Sequence, residues 1–309
     1  MTLCIQPDDL VWRTFSSASA PERDDASLAP HPSQALMADY LRAFFRSHGE
    51  TAEPDSAVLN RWLNSRHSFT AMMQALLPEL QARHTLQPLD VVVFAHWTPD
   101  SDLGCAVSNA LIHACEAHRA FGFSVSDRGL AAPLFALHAI NDYLACEDDR
   151  HEALLMIADQ DIAPYPSERL AQLQPQKNCC LMRIEKRPAG QASGLVFEGY
   201  YRQPYADNGD MTATLRHLLA RLPTQETLPL TLLGSPALIE ALQGGVPHCQ
   251  RVSVPESLLC AAPFVYLKQQ AQPGHRYLLA VPEARHLTTC VLRYQPHHTG
   301  MFTRSSCPH

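Results

Sequence analysis

The second half of the chain repeats segments of the first half, in the same order. The paired segments are 88–93 with 228–233, 129–137 with 259–267, and 151–158 with 275–281. The first and last pairs are short apolar runs typical of buried strands, and the middle pair has the Ala-Ala-Pro start typical of a helix. A repeat at so long a spacing indicates two similar half-domains rather than a solenoid of short units.

The order of the predicted elements favours an α/β fold. Buried strands are predicted at Leu89–Ala95, Gly122–Ser126 and Ala153–Ala158, with helices between them at about 105–118 and 131–143. Strands that alternate with helices in this way form a parallel-rich sheet covered on both faces. Upstream, the pattern predicts a helix over Leu36–Phe45 capped by Ser33, and one long helix over about 57–83. We place the two halves at residues 1–170 and 171–309, packed as one compact unit.

Composition excludes several classes of function. The chain has 309 residues, is 46% hydrophobic and carries a formal net charge of −7, which gives no electrostatic help in binding nucleic acid. We find no signal peptide and no apolar run of membrane-spanning length, and we expect a cytoplasmic protein. The ten cysteines are scattered and are expected to be reduced. Only 13 residues are glycine, against about 7% in an average protein, which disfavours a site built from glycine-rich loops.

An ordered series of segments resembles a known family. In the N-terminal half these are Val91-Val-Val-Phe-Ala-His-Trp-Thr98, Leu103-Gly-Cys-Ala-Val-Ser-Asn109 and Gly122-Phe-Ser-Val-Ser-Asp-Arg-Gly-Leu-Ala-Ala-Pro133. In the C-terminal half they are Leu259–Leu267, Gln272–Leu279 and Cys290–Tyr294. The series resembles the initiating β-ketoacyl-(acyl carrier protein) synthases, called type III, of the thiolase superfamily. The resemblance covers roughly residues 85–165 and 228–295, and it implies the five-layered αβαβα thiolase fold built from two similar halves.

The resemblance also implies that the catalytic residues of the family are missing. In the family, a cysteine at a helix N-terminus carries the acyl group, and a histidine and an asparagine stabilise the enolate. The family positions fall at Gly129 or Leu130 for the cysteine, Gly234 or Ser235 for the histidine, and Leu258 for the asparagine. The glycine-rich loop near the C-terminus is replaced by residues 281–288. We therefore expect no independent activity, no cofactor and no metal.

Similar losses occur in the inactive subunits of heterodimeric ketosynthases, such as chain-length factors and one subunit of the bacterial alkylquinolone synthase. The resemblance implies a second thiolase-fold subunit as partner, in a hetero- or homodimer, with acyl carrier protein or acyl-CoA as further candidates. It places the segment with Phe123 at the dimer interface and Leu103 in the partner's acyl channel, and it brings Leu130 near the centre. His96, at a strand end, is a candidate for lining a ligand crevice. The expected role lies in fatty-acid-derived or polyketide-type secondary metabolism.

Three alternatives stay open at this stage. An acyltransferase or condensing enzyme could use Cys260, two residues past the lost asparagine, as a relocated nucleophile. A homodimeric acyl-binding protein could retain the pocket alone. His138-Ala-Ile-Asn-Asp142 matches the His-x-x-x-Asp pattern of some acyltransferases, but it lies mid-helix, where a surface pair at i,i+4 is the simpler interpretation. Ser126 and Ser235 are weaker candidates for a nucleophile, because no base is adjacent to either. The histidines of the C-terminal tail could bind a metal, but a disordered tail is the expected interpretation.

Overall fold

The computed structural model describes residues 1–16, 33–51, 53–65, 67–86, 88–102, 104–205, 211–221, 228–242 and 249–296. In this part of the chain, eleven strands form one continuous sheet. The strands of the N-terminal part are β1 (Thr2–Ile5), β2 (Leu10–Thr14), β3 (Val91–Ala95), β4 (Phe121–Val125), β5 (Glu152–Asp159) and β6 (Asn178–Arg187). Those of the C-terminal part are β7 (Gly194–Pro204), β8 (Leu230–Gly234), β9 (Cys249–Ser253), β10 (Arg276–Pro282) and β11 (His286–Gln295).

The strand order confirms the internal duplication. The sheet runs β4-β3-β5-β6-β1-β7-β11-β10-β8-β9, with β2 also pairing with β6. Read inward from either end, each half has three parallel strands followed by antiparallel ones. The two halves meet where β1 pairs with β7. Strand β6 follows residue 170, the predicted boundary between the halves, yet it pairs with the N-terminal strands β1 and β2. All five residues of β3 are buried, as expected of a parallel strand covered on both faces.

Nine α-helices occur in the described residues. They are α1 (Gln34–Ser47), α2 (Ser56–Leu63), α3 (Phe69–Gln81), α4 (Val107–Ala114), α5 (Ala132–Ala145), α6 (Glu168–Leu173), α7 (Met211–Arg221), α8 (Pro236–Ala241) and α9 (Ala262–Gln270). Both α5 and α9 are entered through a 3-10 turn, at Gly129–Ala131 and Glu256–Ala261 respectively. The two Ala-Ala-Pro segments thus start equivalent helices, as the sequence predicts.

Three hydrophobic cores separate the helices into layers. The central core joins α5 and α9 to the inner faces of both half-sheets, through residues such as Leu137, Phe264 and Leu279. A second core packs α3 and α4 on the outer face of the N-terminal half, and a third packs α7 and α8 on the outer face of the C-terminal half. The order is helix, sheet, helix, sheet, helix, which is the five-layered arrangement expected of the thiolase fold.

Two local predictions are wrong. The single helix expected over 57–83 is two helices, because two independent N-caps start them: the Asp55 carboxylate accepts from the amides of Ala57 and Val58, and the Ser68 hydroxyl accepts from the Ala71 amide. At the start of α1, the Ser33 side chain makes no capping hydrogen bond. The break is hard to recognise in the sequence because apolar residues recur at helical spacing in both helices, although α2 packs against α1 and α3 packs in the second core.

None of the helices among the described residues is long and apolar enough to cross a membrane. Over the same ranges, no group of three or more His, Cys, Asp or Glu side chains is arranged to hold a metal ion. The histidines and the cysteine of the C-terminal tail lie outside the described residues.

Candidate functional site

Each half carries one left-handed backbone turn just before its central helix. Gly129 has a φ of +52° before α5, and Leu259 has a φ of 46° and a ψ of −122° before α9. We call Gly129–Leu130 the N-elbow and Leu259–Cys260 the C-elbow. Glycine adopts positive φ at little cost, whereas a bulky leucine is a genuine outlier there. The elbows touch, because the Cys260 thiol donates to the Gly129 carbonyl oxygen at 3.6 Å.

The fully buried Asp159, at the end of β5, ties the C-elbow to the N-terminal half. Its Oδ1 accepts from the amides of Trp97 and Thr98, both at 2.9 Å, and from the Thr98 hydroxyl at 3.1 Å. Its Oδ2 accepts from the Cys260 amide at 3.1 Å. Burial raises the pKa of the Asp159 carboxyl, and the amide hydrogen bonds oppose that shift in part. The carboxyl therefore fixes the positions of two loop ends and one elbow at once.

A solvent-connected cleft of about 50 Å³ lies against the C-elbow. Its walls come from the ends of β8 and β10 and from the start of α9. The lining residues are Leu130, Arg169, Leu233, Gly234, Ser235, Val254, Glu256, Leu259, Ala262, Pro263, Leu279, Ala280, Val281 and Pro282. Most of them are apolar, and the two charged ones are Arg169 and Glu256. A mostly apolar lining with a few polar groups is typical of the walls of small-molecule sites.

The structure brings several sequence-predicted residues to this cleft. Leu130, Gly234 and Ser235 all line it. The Ser235 hydroxyl accepts from the Leu238 amide at 3.3 Å and so caps α8. A Cβ added at Gly234 would lie 2.6 Å from the Leu238 Cδ2, so any side chain there requires Leu238 to move. Leu258 is buried beside the cleft and does not line it.

Cys260 lies behind the cleft rather than in its lining. The residue is 1% exposed. Burial, together with the neighbouring Asp159 carboxyl, raises the pKa of the Cys260 thiol well above its usual value. Because the thiolate is the nucleophilic form, this environment disfavours nucleophilic attack by Cys260.

The remaining predicted residues lie elsewhere. The His96 ring stacks on Phe94 with centroids 4.5 Å apart and bonds the Thr98 carbonyl at 2.8 Å, and it does not line the cleft. Phe123 is half-buried on the edge strand β4. His138 pairs with Asp142 at 3.5 Å on the surface of α5, away from the cleft. Leu103 lies outside the described residues.

Sequence reasoning missed three residues of this region. Asp159 follows a buried strand directly, a position at which polar residues of parallel sheets often face a crevice, and this signal could have identified it. Arg169 belongs to a short helix in the segment where the family resemblance is weak. The positive φ of Leu259 cannot be predicted from the sequence, because nothing in a Leu-Leu-Cys-Ala-Ala run indicates a left-handed turn.

No protein-family model matches the chain, and no curated protein matches it. Many solved structures do. Germicidin synthase from Streptomyces coelicolor, a type III polyketide synthase, aligns with a TM-score of 0.60 at 12% identity, over 88% of this chain and 85% of that one. The 3-oxoacyl-(acyl carrier protein) synthase III of Pseudomonas aeruginosa PAO1 aligns with a TM-score of 0.59 at 13% identity, over 96% and 99%.

A third similar structure is AbyA1, a tetronic acid condensing enzyme, with a TM-score of 0.58 at 16% identity over 94% of this chain and 100% of that one. These structures are ketosynthases and condensing enzymes of the thiolase fold. At such low identity the likeness establishes the fold of this chain alone. It confirms the fold predicted from the sequence.

Proposed function

We propose that this chain is a catalytically degenerate ketosynthase-like subunit. It would pair with an active ketosynthase, or dock a carrier protein, in the biosynthesis of fatty-acid-derived or polyketide-type products. The thiolase fold and the condensing-enzyme neighbours support the general class. The residues that line the cleft support the proposed loss of condensing activity.

The observation that carries the proposal is the lining of the cleft. Among the described residues that line it, there is no cysteine, histidine or asparagine. The N-elbow, where the family resemblance puts the nucleophile, presents Gly129 and Leu130. An acyl chain could pack against such apolar walls, but no thiol lines them to form a thioester, and no histidine or asparagine lines them to stabilise an enolate.

The edge strand β4 supports the proposed pairing with a second subunit. Among the described strands it lies at the end of the sheet, so in this part of the chain one row of its backbone groups has no sheet partner. Phe121 is 52% exposed, and its ring lies 5.6 Å from those of Phe123 and Tyr143. An exposed aromatic cluster on a strand edge is typical of a protein interface.

The test of lost chemistry is intact mass spectrometry after incubation with short- and long-chain acyl-CoA. We expect no covalent adduct. An adduct that Cys260→Ala abolishes would instead establish the alternative, an acyltransferase or condensing enzyme with Cys260 as nucleophile. An adduct that survives Cys260→Ala would contradict both proposals.

The test of pairing is co-purification with a second thiolase-fold chain, using Phe121→Lys to disrupt the edge. The matched control is Leu36→Lys, since Leu36 is 72% exposed on α1 and far from β4 in the chain. We expect the partner to be lost with the Phe121 variant and kept with the Leu36 variant. A stable homodimer with no such partner would favour the homodimeric acyl-binding protein.

A further inference from the structure

Helix α1 has two apolar faces, and only one of them is buried. The buried face packs against α2 and consists of Met37, Leu41 and Phe45. The exposed face, which we call the α1 stripe, consists of Leu36, Tyr40 and Phe44, which are 72%, 53% and 36% exposed. These are three of the five large hydrophobic residues that are exposed in the described ranges. Because a helix that packs on one side needs one apolar stripe, the second stripe indicates a second contact.

A groove of about 500 Å³ opens beside this stripe, between α2 and α6, and we call it the α2–α6 groove. Tyr165 connects the two features, because it lines the groove and its ring stacks on that of Phe44, with centroids 6.0 Å apart. The apolar lining includes Val58, Ile162 and Leu170. No residue lines both this groove and the cleft at the C-elbow, so the two recesses are separate.

Charges of both signs surround the stripe and the groove. On α1, the Asp39 side chain is 75% exposed and pairs with Arg42 at 2.7 Å. Asp55 and Arg61 line the groove. A strongly acidic or strongly basic partner would therefore meet no uniform field of the opposite sign. A patch that combines an apolar ridge, an apolar recess and both signs of charge is self-complementary, which is what a two-fold contact between copies of one chain requires.

The size of the patch favours a folded partner over a single peptide helix. Helix α1 has 14 residues and is about 21 Å long, so one face of it offers a footprint of roughly 200 Å². A specific interface buries about 800 Å² per partner. Only an occupant that covers α1 and fills the groove at once approaches this area. A second copy does both, because each copy supplies one stripe and one groove.

We propose that this chain associates with a second copy of itself, with the α1 stripe of each copy lying in the α2–α6 groove of the other. Leu36, the most exposed residue of the stripe, enters the groove, and Asp39 then faces Arg61 of the second copy. The contact is separate from the β4 edge, which the proposed function assigns to a second thiolase-fold subunit, and it does not depend on that function. An interface of this modest area predicts weak association, with a Kd of about 10 µM.

Sedimentation velocity of the full chain, from about 1 to about 100 µM, tests the proposal. All proteins carry Phe121→Lys, which disrupts pairing through β4, and we expect this background protein to dimerise as its concentration rises. Leu36→Lys removes the end of the stripe, and Ala171→Trp fills the groove from its α6 wall. Each variant alone should weaken the dimer about a hundredfold, because both leucine contacts of the dimer are lost.

Mixing the two variants provides the decisive measurement. In the mixed dimer, Leu36 of the groove variant meets the open groove of the stripe variant, so one of the two contacts is intact. The mixed dimer should therefore be only about tenfold weaker than the dimer of the background protein. Such complementation is expected when the stripe and the groove meet each other across a two-fold axis.

Ala241→Lys and Ala241→Trp are the matched controls, because Ala241 is exposed on α8, which packs in the outer layer of the C-terminal half. They introduce the same side chains as the two test variants and should leave the dimer unchanged. Amide hydrogen exchange at the two ends of the concentration range gives a second measurement. We expect association to slow exchange in α1, α2 and α6 and to leave β4 unaffected.

Three results would overturn the inference. The first is a background protein that stays monomeric at every concentration. The second is a dimer that neither Leu36→Lys nor Ala171→Trp weakens, since the contact would then lie elsewhere. The third is a dimer that both variants weaken and that mixing does not restore. None of these results bears on the proposed function, because the second thiolase-fold subunit is expected to be lost with Phe121→Lys and kept with Leu36→Lys.

Discussion

Replacing Leu259 by glycine and by alanine separates backbone strain from packing. Either change removes a buried leucine side chain, which costs about 3–5 kcal/mol in the free energy of unfolding. Alanine keeps the strain of a Cβ at a φ of 46° and a ψ of −122°, about 1–3 kcal/mol, whereas glycine releases it. Glycine costs about 0.5–1 kcal/mol more than alanine in conformational entropy. The net expectation is that Leu259→Gly is more stable than Leu259→Ala by about 1 kcal/mol.

The neighbouring Leu258 provides the matched control. It is similarly buried, at 6% exposure against 4%, but it does not have a positive φ. There the usual order should hold, with the alanine variant more stable than the glycine variant by about 0.5–1 kcal/mol. Urea unfolding of the four variants, followed by circular dichroism, measures both differences. For a chain of this size, 1 kcal/mol corresponds to a midpoint shift of about 0.3 M.

The predicted result is that the stability difference between the glycine and alanine variants has opposite signs at Leu258 and Leu259. If alanine is at least as stable as glycine at both positions, Leu259 is not strained in solution. Packing loss cannot imitate the reversal, because it is common to both substitutions at each site.

Three further outcomes follow from buried charges and thiols. Burial raises the pKa of the Asp159 carboxyl, so the protonated carboxyl contributes stability below about pH 4, the unfolded-state pKa of an aspartate. This contribution is lost as pH rises through the folded-state pKa. The urea midpoint of wild type, measured relative to that of Asp159→Asn, should therefore fall as pH rises from about 4 through the folded-state pKa. Iodoacetamide should alkylate the exposed Cys146 in the native protein, but it should alkylate Cys260 only after unfolding in urea. Peptide mass mapping measures both reactions. Labelling of Cys260 in the native protein would contradict its burial. Arg183→Ala should lower the free energy of unfolding by about 3–5 kcal/mol, because it leaves the partly buried Glu152 carboxylate unpaired; a loss under 1 kcal/mol in urea unfolding would refute this.

The sequence predicts the fold well because the duplication carries long-range information. Apolar β-branched runs identify the central strands, and the two Ala-Ala-Pro starts identify α5 and α9 as equivalent helices. The break between α2 and α3 is less predictable. Asp55 and Ser68 each cap a helix there, but the apolar residues on either side keep a helical spacing that favours one long helix. The polar contacts of Asp159 are not predictable at all from spacing. They join segments that only the folded sheet brings together.

The site shows the same division between local and tertiary information. The order of the family-like segments points to Gly129, Leu130 and Ser235, and the structure places these residues at or beside one cleft. The left-handed turn at Leu259 has no local cause, since leucine disfavours it. It follows from the Cys260 amide being held by Asp159 and from α9 being fixed in the core. The backbone of the C-elbow is thus imposed by tertiary contacts rather than by the residue types of the elbow itself, which is why the sequence does not predict it.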